Sequence, residues 1–118
     1  NGEINLFDTI APPNPTGLQA EIVDKSIYLN WDTLTQPDLA GYKIYFDTDS
    51  PMPPFDGIAT VWGKPSPVHV GETNDHLLTG LFNDTIYHIA VTAIDIAGNE
   101  SGFSNVISAM PGGIRDQF

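Results

Sequence analysis

With 118 residues the chain has room for one domain with a core of its own. Hydrophobic residues make up 41% of it, enough for a packed interior, which excludes wholesale disorder. Fifteen Asp or Glu against four Lys or Arg leave a formal net charge of −11; such a surface repels phosphate backbones and anionic membranes, so both are set aside as partners and the charge is read as serving solubility.

There are no cysteines, hence no disulfide, no thiolate metal site and no cysteine nucleophile. No stretch approaches the ~20 apolar residues of a membrane-spanning helix. The chain opens on Asn1 rather than Met, as expected of a piece of a longer polypeptide. Residues 1–15, NGEINLFDTIAPPNP, hold three prolines in their last four positions and little periodicity. Residues 1–12 are read as a linker or N-terminal extension, the domain as 13–111, and 112–118 as a tail.

Short strands then follow, with no helical period. Residues 16–23 place Leu18, Ala20 and Ile22 on one face, and Asp24-Lys25 makes a turn. Residues 26–32 alternate, with Ile27, Leu29 and Trp31 inward and Tyr28, Asn30 and Asp32 outward. After a polar loop, residues 41–47 alternate again: Tyr42, Ile44 and Phe46 in, Lys43 and Tyr45 out. Val68 and Val70 mark a strand, residues 77–81 another, and 103–110 the last. The most regular run starts at Tyr87, where Tyr87, Ile89, Val91 and Ala93 face inward and His88, Ala90, Thr92 and Ile94 outward. Leu81 and the turn residues Asn83-Asp84 precede it. A Tyr opening a strand just after a turn lays its ring on the core and sends its hydroxyl to upstream backbone, a tyrosine corner. Seven short strands separated by turns predict an all-β, seven-stranded antiparallel immunoglobulin-like sandwich. Residues 48–67 break the rhythm: five prolines stiffen a long connection that carries Met52, Phe55, Ile58, Val61 and Trp62.

This pattern resembles a fibronectin type III domain of the kind found in multidomain bacterial secreted or surface proteins. The resemblance rests on the Pro15 to Leu18 entry, Trp31 on the second strand, and Asp38-Leu39-Ala40-Gly41-Tyr42 leading into the third. Leu81, Thr85 and Tyr87 at the corner and the run from Ala93 to Ser101 complete it. The departure is the 48–67 segment, longer than the family's usual connection. The resemblance implies a sandwich of three- and four-stranded sheets built as a spacer or binding module, often beside carbohydrate-active domains.

Candidate chemistry is sparse. Of the three histidines, His69 and His88 fall on outward parities and His76 precedes a strand in an Asp-rich turn, so no Ser-His-Asp set is expected. A small sandwich offers no deep cleft to raise one carboxyl of a glycosidase pair, and the chain is read as non-enzymatic. Asp47-Thr48-Asp49 begins like a calcium loop, but Pro51 stands at the third ligand and no closing Glu follows. The loops at one end of such a sandwich bring Asp38 toward Asp95, Asn99 and Glu100, a weak hard-oxygen candidate for Ca²⁺; alternatively Asp38 and Asp95 each bond local backbone N–H groups. Phe55, Trp62 and Tyr45 could form a stacking surface for sugar rings or a protein; alternatively the loop aromatics cover the sheet edge. Both sequons, Asn83-Asp84-Thr85 and Asn99-Glu100-Ser101, are explained by turn chemistry. The expected function is a monomeric, cofactor-free spacer that positions neighbouring domains of its parent chain in an extracellular or cell-surface protein. The alternative is a module that binds polysaccharide or a cell-surface protein through the 48–67 aromatics.

Overall fold

Alternating apolar residues can leave water only by packing one sheet face on another, and the chain does this with two antiparallel sheets. The structure, a computed structural model, describes residues 9–53, 55 and 66–112. Seven strands are formed: β1 (Gln19–Val23), β2 (Ser26–Asn30), β3 (Leu39–Asp47), β4 (Val68–Val70), β5 (Asp75–Leu78), β6 (Tyr87–Asp95) and β7 (Ile107–Ala109). One sheet has the order β1-β2-β5, the other β4-β3-β6-β7. The facing surfaces bury Leu18, Ile27, Leu29, Trp31, Leu39, Tyr42, Ile44, Phe46, Leu78, Leu81, Tyr87, Ile89, Val91 and Ala93 as one cluster. Each large aliphatic or aromatic side chain among them contributes about 1.5–3 kcal/mol through removal from water.

The pairing of β3 with β6 is the longest in the fold. Tyr42 lies opposite Ala93, Ile44 opposite Val91 and Phe46 opposite Ile89. The register shifts between Leu39 and Gly41, where the backbone of β4 comes so close that a Cβ on Gly41 would lie 2.5 Å from Val70 O. Only glycine fits there. Aromatic edges fill the centre: Trp31 meets Tyr42 edge-on at 5.2 Å between ring centroids, and Phe46 meets Tyr87 at 6.4 Å. The Tyr42 hydroxyl oxygen accepts from Leu34 N–H at 3.1 Å.

The tyrosine corner forms as the sequence predicts. Tyr87 is fully buried and its hydroxyl oxygen accepts the N–H of Phe82 at 2.9 Å. Burial raises the phenol's pKa, partly countered by the Phe82 N–H. The corner is clamped to the β1–β2 turn: Leu81 N–H donates to Lys25 O, and Lys25 N–H to the Asn83 side-chain oxygen. Lys25 and Asp84 both sit in the left-handed region, a cost these bonds offset.

Several strands differ from expectation. Ile22 has inward parity, opposite the buried Ile27, yet is 58% exposed, because β1 is an edge strand. The fifth strand begins two residues earlier than expected and stops at Leu78, so His76 lies inside it, opposite Leu29. The last strand is shorter than 103–110 because serine hydroxyls replace main-chain partners ahead of it. Val91 N–H donates to Ser104 Oγ and Ala93 N–H to Ser101 Oγ.

The chain enters and leaves the sandwich at opposite ends. At the entry, Gly102 N–H donates to the Asn14 side-chain oxygen at 2.8 Å, and Leu18 N–H and C=O both bond the Asn105 amide. At the exit, Gly112 N–H donates to Val23 O and Asp84 N–H to Pro111 O.

Replacing Tyr87 with Phe keeps the ring and strands the Phe82 N–H, so it should cost roughly 1 kcal/mol or more. A thermal melt checks this, and an unchanged midpoint contradicts the corner bond.

Candidate functional site

The candidate calcium ligands do not converge. Asp95, at the end of β6, is buried, and its carboxylate is taken up locally. Oδ1 accepts the N–H groups of Ala97 and Asn99 at 3.0 and 2.8 Å, and Oδ2 accepts the Asn99 amide at 3.0 Å. Asp38 meets this loop through its backbone, its carbonyl accepting Ile96 N–H at 2.9 Å. Glu100 pairs with Ile94, which puts it on the outer parity of the sheet, away from Asp95. Among the described residues no group of three or more His, Cys, Asp or Glu could hold a metal ion. The alternative reading, a side chain bonding local backbone N–H groups, fits Asp95, while Asp38 takes part through its main-chain carbonyl.

Glu100 instead organises a polar cluster on the outer face of the four-stranded sheet. Its carboxylate accepts a hydrogen bond from the Tyr45 hydroxyl, one from Thr92 Oγ1 at 2.7 Å and an ion pair from Lys43 Nζ at 3.3 Å. Parity explains the gathering: Lys43 and Tyr45 alternate outward on β3, and Thr92 lies opposite Lys43 on β6. Burial alone would raise the Glu100 carboxyl, but the bonds from Tyr45 and Thr92 and the Lys43 charge outweigh it and hold the pKa below the ordinary value. Burial, with the Glu100 carboxylate next, pushes Tyr45 up to about 12.

The proposed stacking residues are differently placed. Phe55 is 3% exposed, edge-on to Phe103 at 5.2 Å, and Phe103 is edge-on to Tyr45 at 5.1 Å. Ser66 secures this layer, donating to Phe55 O at 2.7 Å and accepting Phe46 N–H at 2.9 Å. The aromatics thus roof the outer face, which is why Ala90 and Thr92 are buried despite outward parity. Phe55 therefore offers no face to a sugar ring, and Tyr45 spends its hydroxyl on Glu100. Trp62 lies outside the described residues.

One juxtaposition was not anticipated. Register sets Asp47 and Ser108 on either side of His88, and Ser108 Oγ lies 2.7 Å from His88 Nδ1. The period-two pattern carried this signal once strand order was known. Asp47 Oδ1 is held by the N–H groups of Thr48 and Asp49, and the row lies on the outer face of the four-stranded sheet. His69 is exposed on β4. Among the described residues two shallow clefts, one beside Thr33, Leu39 and Glu72 and one beside Gly41, His69 and Ile94, hold about 270 and 290 Å³. The sequon amides are engaged: Asn83 Nδ2 donates to Asp24 and Asn99 Nδ2 to Asp95.

Two outcomes follow from this chemistry. Because the folded-state pKa of Glu100 is depressed, its cluster stabilises fully above the usual carboxylate range and loses that contribution as pH falls through the folded value. The raised Tyr45 works in reverse: its contribution is full below the ordinary phenol value and fades as pH climbs toward about 12. Glu100→Gln should therefore melt below the parent at neutral pH, with the gap closing on acidification; a gap independent of pH contradicts the assignment. Melting in EDTA and in millimolar Ca²⁺ should give the same midpoint, and a higher midpoint with Ca²⁺ would restore the oxygen cluster as a metal site.

Comparison with known proteins agrees with this architecture. The family model for the fibronectin type III domain matches residues 13–110. Exoglucanase A of Cellulomonas fimi is 34% identical over 109 residues, covering 88% of this chain but only 11% of that protein. Among solved structures, the fibronectin type III domain of human contactin 1 superposes with a TM-score of 0.68 at 18% identity, covering 93% of this chain and 87% of that one. A β-1,2-glucanase from Parabacteroides distasonis gives 0.64 at 23% identity, covering 90% of this chain and 14% of that one. The sandwich order, the tyrosine corner and the family match over 13–110 make this chain a member of the fibronectin type III domain family.

Proposed function

We propose that this chain is a non-catalytic module that spaces and positions neighbouring domains within a larger secreted or cell-surface protein. The observation that carries the reading is the placement of its two connections. Entry is pinned at Asn14–Gly102 and exit at Gly112–Val23 and Pro111–Asp84, at opposite ends of the sheet. At about 3.3 Å per residue along β6, these points lie roughly 25 Å apart. A rigid block with fixed, opposed connections sets the distance between whatever it joins. The 11% share of the exoglucanase supports a module within a longer chain whose catalysis lies elsewhere. The names of that relative and of the β-1,2-glucanase favour a carbohydrate-active neighbour acting outside the cell. Binding through the 48–67 aromatics is disfavoured because Phe55 and Tyr45 are turned to roofing the sheet.

Removing residues 13–111 from the parent and rejoining its neighbours tests the reading. Turnover of a small soluble substrate by an adjoining catalytic domain should be unchanged, while action on an insoluble polymer should fall. An unrelated rigid domain of equal length should restore it. No change on either substrate contradicts a positioning role, and loss on the soluble substrate contradicts a non-catalytic one.

A further inference from the structure

Where the chain enters the sandwich, the β2–β3 connection and the β4–β5 turn enclose a cleft of about 270 Å³. Leu34, Leu39 and Tyr42 line it with apolar surface, and Thr33, Glu72 and Asn74 with polar groups. Both walls are held in place: Trp31 N–H donates to Asn74 O at 3.0 Å, and Leu39 N–H to Gln36 O at 3.1 Å. Tyr42 is 1% exposed. Its hydroxyl oxygen accepts Leu34 N–H, which sets the hydroxyl beside a lining residue. The hydroxyl's own proton meets no acceptor among the described residues. Trp31, edge-on to Tyr42, is also buried, and its Nε1–H likewise has no acceptor among the described residues. Buried donors are nearly always paired, so two orphans on adjoining rings point to an oxygen from outside the chain. Thr33, Glu72 and Asn74 are exposed, and their side chains bond no other described residue.

We propose that this cleft binds a neutral sugar unit of a polysaccharide, at a place separate from the aromatic layer of Phe55 and Tyr45. The lining selects the ligand chemistry by what each group lacks. Tyr42 O–H needs an acceptor, which an ammonium ligand cannot supply. Glu72 needs a donor, and with a net charge of −11 it repels anionic ligands. No group of three or more His, Cys, Asp or Glu among the described residues could hold a metal ion. A sugar hydroxyl both accepts and donates, so neighbouring hydroxyls of one ring serve Tyr42, Glu72 and the Asn74 amide together. The C–H face of the ring suits the apolar surface of Leu34 and Leu39. The inference does not rest on the spacing role, since a module that positions its neighbours can also hold the polymer on which they act.

Titrating the ¹⁵N-labelled chain with cellobiose, laminaribiose and sophorose, and following its amide resonances, tests the site. At least one of these neutral disaccharides should give saturable shifts in the millimolar range at Thr33, Leu34, Glu72, Thr73 and Asn74. Glu72→Ala with Asn74→Ala removes two exposed polar groups, so it should weaken that binding by roughly tenfold or more and leave the melting midpoint unchanged. Tyr42→Phe should weaken it too, and where loss of the Leu34 bond unfolds that variant, the surface pair decides alone. Absence of saturable shifts with all three sugars overturns the proposal, as does binding that the surface pair leaves intact. Tighter binding of propylammonium or glucuronate than of any disaccharide overturns the neutral-sugar chemistry. If the sugars fail to bind while excision of the module still impairs the parent, the spacing role stands without the site, so the two readings fail separately.

Discussion

The antiparallel pairing of β3 with β6 is the constraint on which the rest depends. It fixes which side of every residue from Leu39 to Asp47 and from Tyr87 to Asp95 meets the other sheet. A slip of one position would send Tyr42, Ile44, Phe46, Tyr87, Ile89 and Val91 to the outer surface at once. Gly41 holds the bulge at one end of the ladder, and the Tyr87 hydroxyl holds the corner at the other. Everything of functional interest hangs from these two ends. The Asp95 loop and the chain entry lie at one, the corner and the chain exit at the other.

The same pairing makes the outer face. Lys43, Tyr45 and Thr92 are brought side by side by parity, and Glu100 reaches them because its bridge to Ile94 shares that parity. A carboxylate with three donors needs no cation, and its depressed pKa expresses that saturation. Asp95 reaches the same condition through main-chain N–H groups and the Asn99 amide. These two acidic residues are thus consumed structurally, while the excess of acidic over basic side chains leaves the surface with unbalanced charge.

Much of the fold is legible in the sequence because its signals are local. Alternation from Tyr87 to Ala93 and from Tyr42 to Phe46 marks the central strands and their inward faces. Turn residues ahead of Tyr87 mark the corner. Parity does not say how far the opposing layer extends, and so it places Ile22 inside although that residue lies at an open edge. Nor does it reveal a third layer: Phe55 and Phe103 bury the outward Ala90 and Thr92 only because the chain folds back over the sheet. The candidate metal cluster failed for a related reason. Asp95 and Glu100 are five positions apart, but the Gly98 turn and the Ile94 bridge place them on different faces, which spacing alone does not reveal.

The central claim is that one rigid sandwich takes the chain in at one end and releases it at the other. A spin-label distance measures this directly, and the absence of cysteines allows clean labelling of Pro13→Cys with Met110→Cys. The length of β6 between the levels of these sites predicts a narrow distribution centred at about 20 Å or more. A broad distribution, or one centred near about half that length, would mean that the two connections are not held at opposite ends, and would contradict the account.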